Sequence, residues 1–282
     1  MIHLKNGSAE YSINPFRGAA TCHWSISGRD ILYIDPNSYF QPQVKFKGGN
    51  PVMFPIFSTL NLDGSTETSF HGKEINLPQH GSARLSNSWR VNMTSDSSAI
   101  LYLQHTDESL KDYPFKFNLE VHYQLREDSL ELTQKVYNPG NETMAFVAGF
   151  HPYFKVSDPS QCEVSGLVPG TQCYDLPNAG PFNFNAHLPH SLPLGKREIN
   201  HHMVTGARKI TLKDRLTTKR ISINPSAAYP CLTVWSEPGE PFVCIEPTSG
   251  RRGAFETREN LTHLAPGKSW EGKVEFKVEN LP

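Results

Sequence analysis

The stretch from residue 149 to residue 156 places a titratable ring where a strand must break. In strand alternation His151 and Tyr153 share one face, and the opposite face carries only apolar side chains. Pro152 has no N–H to donate to a ladder, so the strand ends, bulges or lies at an edge there. His151 is therefore a candidate catalytic acid or base, although a histidine beside an ordinary turn would give the same pattern.

A second stretch concentrates polar groups on a constrained loop. Gln79, His80 and Arg84 lie within six residues, and prolines and glycines punctuate the stretch. Donors and acceptors in such a set suit hydroxyl-rich or phosphorylated ligands. Lys47 precedes a pair of glycines, which let a backbone approach a ligand closely, so it is a candidate anion contact. A solvated lysine beside a tight loop is the alternative.

A third stretch ends an apolar strand with an acid. Glu246 follows a run that begins at Phe242, and Pro247 ends the strand. A carboxyl in that position is expected to be partly desolvated, which raises its pKa and makes it a better base near neutral pH. A solvated glutamate at a strand end is the alternative. The adjacent His201 and His202 diverge on a strand, which argues against a metal pair.

The elements that must position these residues are predicted to be mainly β-strands, because apolar and polar residues alternate along much of the chain. Apolar and polar residues alternate over 117–136 around a turn at 126–128, which predicts an antiparallel hairpin. Further strands are predicted at 9–13, 18–26, 30–34, 88–94, 98–105, 143–150, 162–167, 208–212, 219–223, 230–235, 241–246 and 272–279. So many strands with few helices predict an all-β fold, a large antiparallel sandwich or barrel. Residues 47–87 and 174–207 are expected to be irregular.

Composition narrows the class of protein. Apolar residues make up 37% of the chain, and the net charge is −1 without any block of like charge, which argues against nucleic acid as a partner. No apolar run approaches the ~20 residues of a membrane span, and the five cysteines form no CxxC pair. With no break in composition, we expect one cytoplasmic domain over 1–282.

In order and spacing, these motifs resemble those of the galactose mutarotase-like superfamily, in particular hexose-6-phosphate and aldose 1-epimerases. The matching elements are Lys47-Gly48-Gly49-Asn50, Gln79-His80-Gly81-Ser82-Ala83-Arg84, His151-Pro152-Tyr153-Phe154 and Cys244-Ile245-Glu246-Pro247. The resemblance spans nearly the whole chain. It implies a large antiparallel β-sandwich with a sugar on its concave face, Glu246 as general base and His151 as general acid, with His80 contacting the ring.

Two positions depart from the pattern of the phosphate epimerases. Lys47 stands where that pattern has arginine, and Asn200 where it has a sugar-binding aspartate. Lysine keeps the charge without the bidentate fork, and asparagine keeps the hydrogen bonding without the charge. Both changes concern the identity of the substrate more than the fold.

Together with this resemblance, the residues predict a sugar 1-epimerase that needs no metal or cofactor, because an acid and a base across one sugar suffice for ring opening. Gln79, Arg84, Lys47 and Asn200 would bind hydroxyls or a phosphate, and Phe54, Tyr153 or Trp235 would stack on the ring. A binding module on the same fold remains an alternative. A glycosidase would need two flanking carboxylates, and the motifs supply one. The oligomeric state and the choice between an aldohexose and a hexose 6-phosphate stay open.

Overall fold

The structure is a computed structural model that describes residues 1–40, 46–167, 171–175, 180–183 and 191–280. In chain order its strands are β1 (Ile2–Asn6), β2 (Ala9–Asn14), β3 (Ala20–Ile26), β4 (Arg29–Asp30), β5 (Val52–Met53), β6 (Glu67–Phe70), β7 (Lys73–Asn76), β8 (Arg90–Ser95), β9 (Ser98–Gln104), β10 (Asn118–Leu125), β11 (Ser129–Tyr137), β12 (Met144–Phe146), β13 (Gly149–Phe150), β14 (Tyr153–Lys155), β15 (Cys162–Ser165), β16 (Gln172–Asp175), β17 (Gly180–Asn183), β18 (Ser191–Pro193), β19 (Ile199–Val204), β20 (Ile210–Asp214), β21 (Arg220–Pro225), β22 (Cys231–Ser236), β23 (Phe242–Thr248), β24 (Thr262–Leu264) and β25 (Ser269–Glu279). The helices are α1 (Pro36–Phe40), α2 (Ser109–Asp112) and α3 (Ala254–Thr257), with 3₁₀ turns at Pro15–Arg17, Ala83–Leu85 and Pro159–Gln161. Within the described ranges, no helix is long and apolar enough to cross a membrane.

Two large antiparallel sheets make up most of the fold. The first, the β10–β11 sheet, has the order β18-β15-β20-β21-β25-β11-β10-β9-β8. The second, the β22–β23 sheet, has the order β17-β16-β19-β22-β23-β13-β5, and β14 also pairs with β23. Strands β1 to β4 form a smaller sheet, and β6–β7 and β12–β24 are two-stranded pairs.

The hairpin predicted over 117–136 is confirmed as β10 and β11. Its register runs from Asn118 opposite Tyr137 to Leu125 opposite Leu130. Every second residue of β10 is buried, as the alternation of apolar and polar side chains requires. Strand β25 pairs with both β11 and β21, so the predicted strand at 272–279 lies in the interior of this sheet.

The two large sheets pack against each other through the apolar face of residues 149–156. The ring of Phe154 on β14 lies 5.5 Å from that of Phe276 on β25, measured between centroids. Phe150 contacts the ring of Tyr229 in the same layer. The prediction of an all-β antiparallel sandwich is thus confirmed, and the face that carries His151 is turned away from this core.

Three predictions about local structure were wrong in part. The segment 174–207 was expected to be irregular, yet β17, β18 and β19 lie within it; residues 176–179 and 184–190 are outside the described ranges. Strand β19 lies between two other strands and shows no clean alternation of burial, which hid it. Within 47–87, β5, β6 and β7 are short strands. The predicted strand at 143–150 divides into β12 and β13, which join different sheets.

The conformation of the loop that carries His80 requires a residue without a side chain at position 81. Gly81 has φ of +80°, and a Cβ there would lie 2.2 Å from the carbonyl oxygen of Phe54. Gly72 has a similar φ of +74° but faces open space. The two glycines therefore separate the effect of the clash from the effect of the dihedral angle.

We predict that Gly81→Ala lowers the free energy of unfolding by more than Gly72→Ala does. The matched control pays only the strained dihedral, about 1–2 kcal/mol, whereas Gly81→Ala also forces two backbone segments apart. Urea denaturation of both variants measures the difference. Equal losses would mean that the Phe54 loop adapts without cost.

Candidate active site

The register of the β22–β23 sheet sets the candidate residues side by side. Gly149 pairs with Thr248 and Tyr153 pairs with Cys244, so His151 lies between these positions, opposite Glu246. Continuing across β22 and β19 gives one row of His151, Glu246, Thr233 and His202, and a second row of Tyr153, Cys244, Trp235 and Asn200. Side chains in such rows are neighbours on one face of the sheet.

A cavity of about 240 Å³ opens over these two rows. The predicted site residues that line it are Gln79, His80, Arg84, His151, Tyr153, Asn200, Trp235 and Glu246. Gln79 and His80 come from the loop before the Ala83–Leu85 turn and Arg84 from the turn itself, whereas the others come from the strands of the sheet or, for His151, from the break between β13 and β14. The structure thus brings together residues that are up to 167 positions apart in the chain.

The floor of the cavity is a buried imidazole beside a buried carboxyl. His151 Nε2 lies 3.5 Å from Glu246 Oε2, and the two side chains are only 8% and 2% exposed. Burial raises the pKa of the Glu246 carboxyl well above its usual range, because ionisation there loses hydration. A carboxyl of this kind is a strong base once it has lost its proton.

His80 lies against His151 in a strained conformation. The two ring centroids are 5.0 Å apart in an edge-to-face arrangement. His80 has φ of +65°, a region that a non-glycine residue occupies only where its surroundings hold it there. The backbone N–H of Ser58 donates to His80 Nδ1 at 3.2 Å, so a neutral His80 carries its proton on Nε2. His80 is thereby set up as a hydrogen-bond donor through Nε2.

Sequence reasoning missed the role of His202, which lines the cavity beside Asn200. Burial lowers the pKa of His202 to about 3, so its ring is neutral at physiological pH. Its Nδ1 contacts Thr233 Oγ1 at 3.2 Å, and its Nε2 contacts Asn200 Oδ1 at 2.9 Å. If Thr233 donates to Nδ1, Nε2–H donates to Asn200 Oδ1, so the amide nitrogen of Asn200 remains a hydrogen-bond donor at the cavity. The spacing of two between residues 200 and 202 on one strand could have predicted this shared face.

Two of the residues proposed from sequence lie elsewhere. Lys47 is absent from the cavity lining: its Nζ lies 2.5 Å from a carboxylate oxygen of Glu237 and 3.2 Å from one of Glu240. Phe54 is fully buried and packs on Phe117, with centroids 4.9 Å apart, so it belongs to the core. Neither placement suits contact with a ligand in the cavity.

Arginines supply the positive charge that lines the cavity. Arg84 donates from Nε and Nη2 to the carbonyl oxygen of Gln79 at 3.0 and 2.9 Å, which holds its guanidinium over the loop. Burial lowers the pKa of Arg84, but a guanidinium stays protonated in proteins. Arg252, which sequence reasoning missed, reaches the cavity from the loop after β23. The signal in the sequence was a pair of arginines between Gly250 and Gly253.

A family model described as aldose 1-epimerase matches residues 1–277. The chain belongs to the aldose 1-epimerase family. The resemblance drawn from the motifs is therefore confirmed, and the match covers the strands and loops that line the cavity. The family supports an epimerase type of function, whereas the particular sugar is a separate question.

Individual relatives are distant in sequence and close in fold. The plasmid-encoded LacX protein of Lactococcus lactis is 25% identical over 90% of this chain and 89% of its own length. A Cenchrus ciliaris protein, named for a proposed glucose-6-phosphate 1-epimerase activity, is 23% identical over 92% of this chain and 78% of its own. Slr1438 of Synechocystis superposes with a TM-score of 0.90 at 30% identity, covering 99% and 95% of the two chains. A galactose mutarotase related enzyme of Lactobacillus acidophilus shares the fold, with a TM-score of 0.82 at 22% identity and coverage of 99% and 97%.

We predict that Glu246→Gln stabilises the protein at neutral and alkaline pH. The folded pKa of Glu246 is raised above its ordinary 4.5, so its proton-linked stability is present below that pH and is lost as pH rises through the folded pKa. The amide never ionises. Its melting temperature should exceed that of the parent by roughly 2 °C or more at pH 8, with the gap closing towards pH 4.

The control is Glu198→Gln, because Glu198 is an exposed carboxyl at the same cavity. Its melting temperature should follow that of the parent at every pH. A parent that is as stable as Glu246→Gln at pH 8 would contradict the raised pKa.

Proposed function

We propose that this protein is a sugar 1-epimerase that interconverts the α and β anomers of a sugar by opening its ring. The buried pair of His151 and Glu246 at the floor of a polar cavity carries this proposal. Membership of the aldose 1-epimerase family supports it. The reaction needs one group that accepts a proton and one that donates a proton across a single sugar.

The proposed chemistry conserves protons within the pair. Glu246, ionised, accepts the proton of the C1 hydroxyl while protonated His151 donates one to the ring oxygen, and the C1–ring oxygen bond breaks. The open aldehyde rotates about C1–C2. Its ring oxygen then attacks the other face of C1, returning its proton to His151 while Glu246 returns a proton to the new C1 hydroxyl. The pair ends the cycle with the proton count with which it began.

The raised pKa of Glu246 determines whether this carboxyl is ionised, and so whether it can act as a base, at the working pH. A buried carboxyl resists ionisation, but a protonated His151 3.5 Å away favours the charged form. Proton transfer is efficient when the pKa of the base lies near the working pH. His80, which can donate through Nε2, would hold an oxygen of the sugar beside this pair.

Aromatic side chains provide a wall for the apolar face of a sugar ring. Tyr153 stacks on His151 at 4.8 Å with an interplanar angle of 6°, which holds the imidazole in one plane. Trp235 lies almost perpendicular to Tyr153, at 86° and 5.8 Å, and it is half-buried. We assign Trp235 to stacking against the sugar and Asn200 to a hydroxyl.

We further propose that the site accepts an anionic sugar such as a hexose 6-phosphate. Two guanidinium groups, of Arg84 and Arg252, line the cavity, and arginine recognises phosphate through paired charge-assisted hydrogen bonds. This assignment replaces Lys47 with Arg252, because two carboxylates already engage the lysine. The Cenchrus ciliaris relative, named for a proposed glucose-6-phosphate 1-epimerase activity, fits this substrate class.

A second candidate is a sugar-binding protein without turnover. The observation that favours it is the burial of Glu246, since a carboxyl that stays protonated cannot act as a base. Anomer exchange by NMR, with purified protein and glucose, galactose or glucose 6-phosphate, decides between the two. Binding of a sugar without acceleration of its exchange would establish the second candidate.

We predict that Glu246→Gln abolishes most turnover while sugar binding persists. The amide is nearly isosteric but cannot accept the proton, and loss of a general base costs on the order of 10²–10⁴ in rate. NMR exchange gives the rate, and calorimetric titration gives the affinity. Near-parental exchange by this variant would remove Glu246 from the role of base. Glu74→Gln, at an exposed carboxyl of β7 outside the cavity lining, should retain the parental rate.

We predict that Arg84→Gln and Arg252→Gln each raise KM for glucose 6-phosphate by about tenfold or more, with much smaller effects on glucose. The loss should shrink as salt increases, because salt screens the charges. Lys47→Gln tests the assignment from sequence and should remain within about twofold of the parent, because the partly buried lysine lies outside the cavity lining and pairs with Glu237 and Glu240. Equal losses for both sugars would mean that the arginines bind hydroxyls and would end the phosphate assignment.

A further inference from the structure

A thiol lies beside the proposed acid–base pair. Cys244 precedes Glu246 by two residues on β23, so both face the same side of the sheet, and Tyr153 is opposite Cys244 on β14. One ligand atom from each of His151, Cys244 and Glu246 lies within 4.8 Å of the others. All three side chains are buried.

These three ligand types suit one metal in particular. Thiolate, imidazole and carboxylate together match Zn²⁺, whereas Mg²⁺ and Ca²⁺ prefer oxygen ligands alone. Zinc sites with three protein ligands leave a fourth position for water or substrate. Tetrahedral bonds of about 2.0–2.3 Å place ligand atoms about 3.3–3.7 Å apart. The 3.5 Å between His151 Nε2 and Glu246 Oε2 already has this value, and the sulfur must approach by about 1 Å.

A second observation points to a cation at this place. Glu246 Oε2 is buried and accepts no hydrogen bond from the described residues, although it faces His151. A buried polar atom left without a hydrogen bond has lost its hydration without compensation, which destabilises the fold. A metal ion would satisfy this oxygen. Because His151 and Glu246 line the cavity, an ion that enters the cavity reaches them directly.

We propose that His151, Cys244 and Glu246 form a Zn²⁺ site that competes with the sugar for the acid–base pair. On binding, the Cys244 thiol releases its proton to solvent and coordinates as thiolate, and Glu246 coordinates as carboxylate. Neutral His151 coordinates through Nε2. Water fills the fourth position, towards the cavity. The ion occupies both groups that move protons in the proposed reaction, so zinc inhibits anomer exchange; its binding does not depend on that reaction.

The first test uses metal-free, reduced full-length protein and needs no activity. Titration with Co²⁺ should produce a near-ultraviolet thiolate-to-cobalt charge-transfer band that saturates at one equivalent. Zn²⁺ should abolish this band, and calorimetry should give one Zn²⁺ per chain. Mg²⁺ should give neither signal, because thiolate and imidazole do not suit it.

Variants locate the site. Cys244→Ser should remove the cobalt band and weaken Zn²⁺ binding by at least about tenfold, since even loss of an outer-shell partner costs about 10–100-fold. Cys162→Ser is the matched control: Cys162 is also a buried thiol, but it lies on β15 of the other large sheet, and the variant should bind both metals like the parent. Glu246→Gln gives a second, independent loss should Cys244→Ser fail to fold.

The parent's anomer exchange should fall as Zn²⁺ saturates the site and recover with a chelator. A parent without the cobalt band, or a Cys244→Ser variant that binds Zn²⁺ as tightly as the parent, would overturn the proposal. Zinc binding that maps to these residues in a protein without exchange activity would leave the site established and refute only the epimerase function.

Discussion

The contact between the buried Glu246 carboxyl and the His151 imidazole is the constraint around which the site is arranged. Burial removes water from the Glu246 carboxyl and thereby disfavours its ionised form. A protonated His151, whose Nε2 lies 3.5 Å from Glu246 Oε2, would offset that cost. The pair can hold one proton in two arrangements, on the carboxyl or on the ring. A sandwich sheet is suited to hold such a pair, because β23, which carries Glu246, pairs with β22 on one side and with β13 and β14 on the other.

The surrounding side chains restrict how the imidazole can move. Tyr153 is nearly parallel to the His151 ring, and His80 meets it edge to face from the loop opposite. His80 itself is held in a left-handed backbone conformation by hydrogen bonds to both backbone groups of Ser58. Strain at this position is consistent with a loop whose conformation serves a ligand rather than stability.

The basic residues near the cavity differ in whether carboxylates pair with them. Lys47 is neutralised by Glu237 and Glu240 beside the site, while guanidinium groups remain at the cavity. Burial alone would lower the pKa of Lys47, but hydrogen bonds to these carboxylates raise it, so the lysine stays charged and paired. A positive charge next to glycines therefore marks a salt bridge here, and the loop after β23 places Arg252 at the cavity.

The sequence by itself determined the fold class and most of the site. Alternation over 117–136 specified a half-buried antiparallel hairpin, and the motifs around His80, His151 and Glu246 identified six of the residues that line one cavity. Asn200 and Trp235, predicted from other segments, line the same cavity. Only the tertiary structure decided which further residues line the cavity and which predicted residue lies outside it. Lys47 has charged partners about 190 residues away, and His202 reaches the site through cross-strand pairing of β19 with β22, a strand that alternation did not reveal. Local pattern reports which face a side chain takes; it is the register between distant strands that determines its neighbours, and that depends on how the whole sheet is assembled.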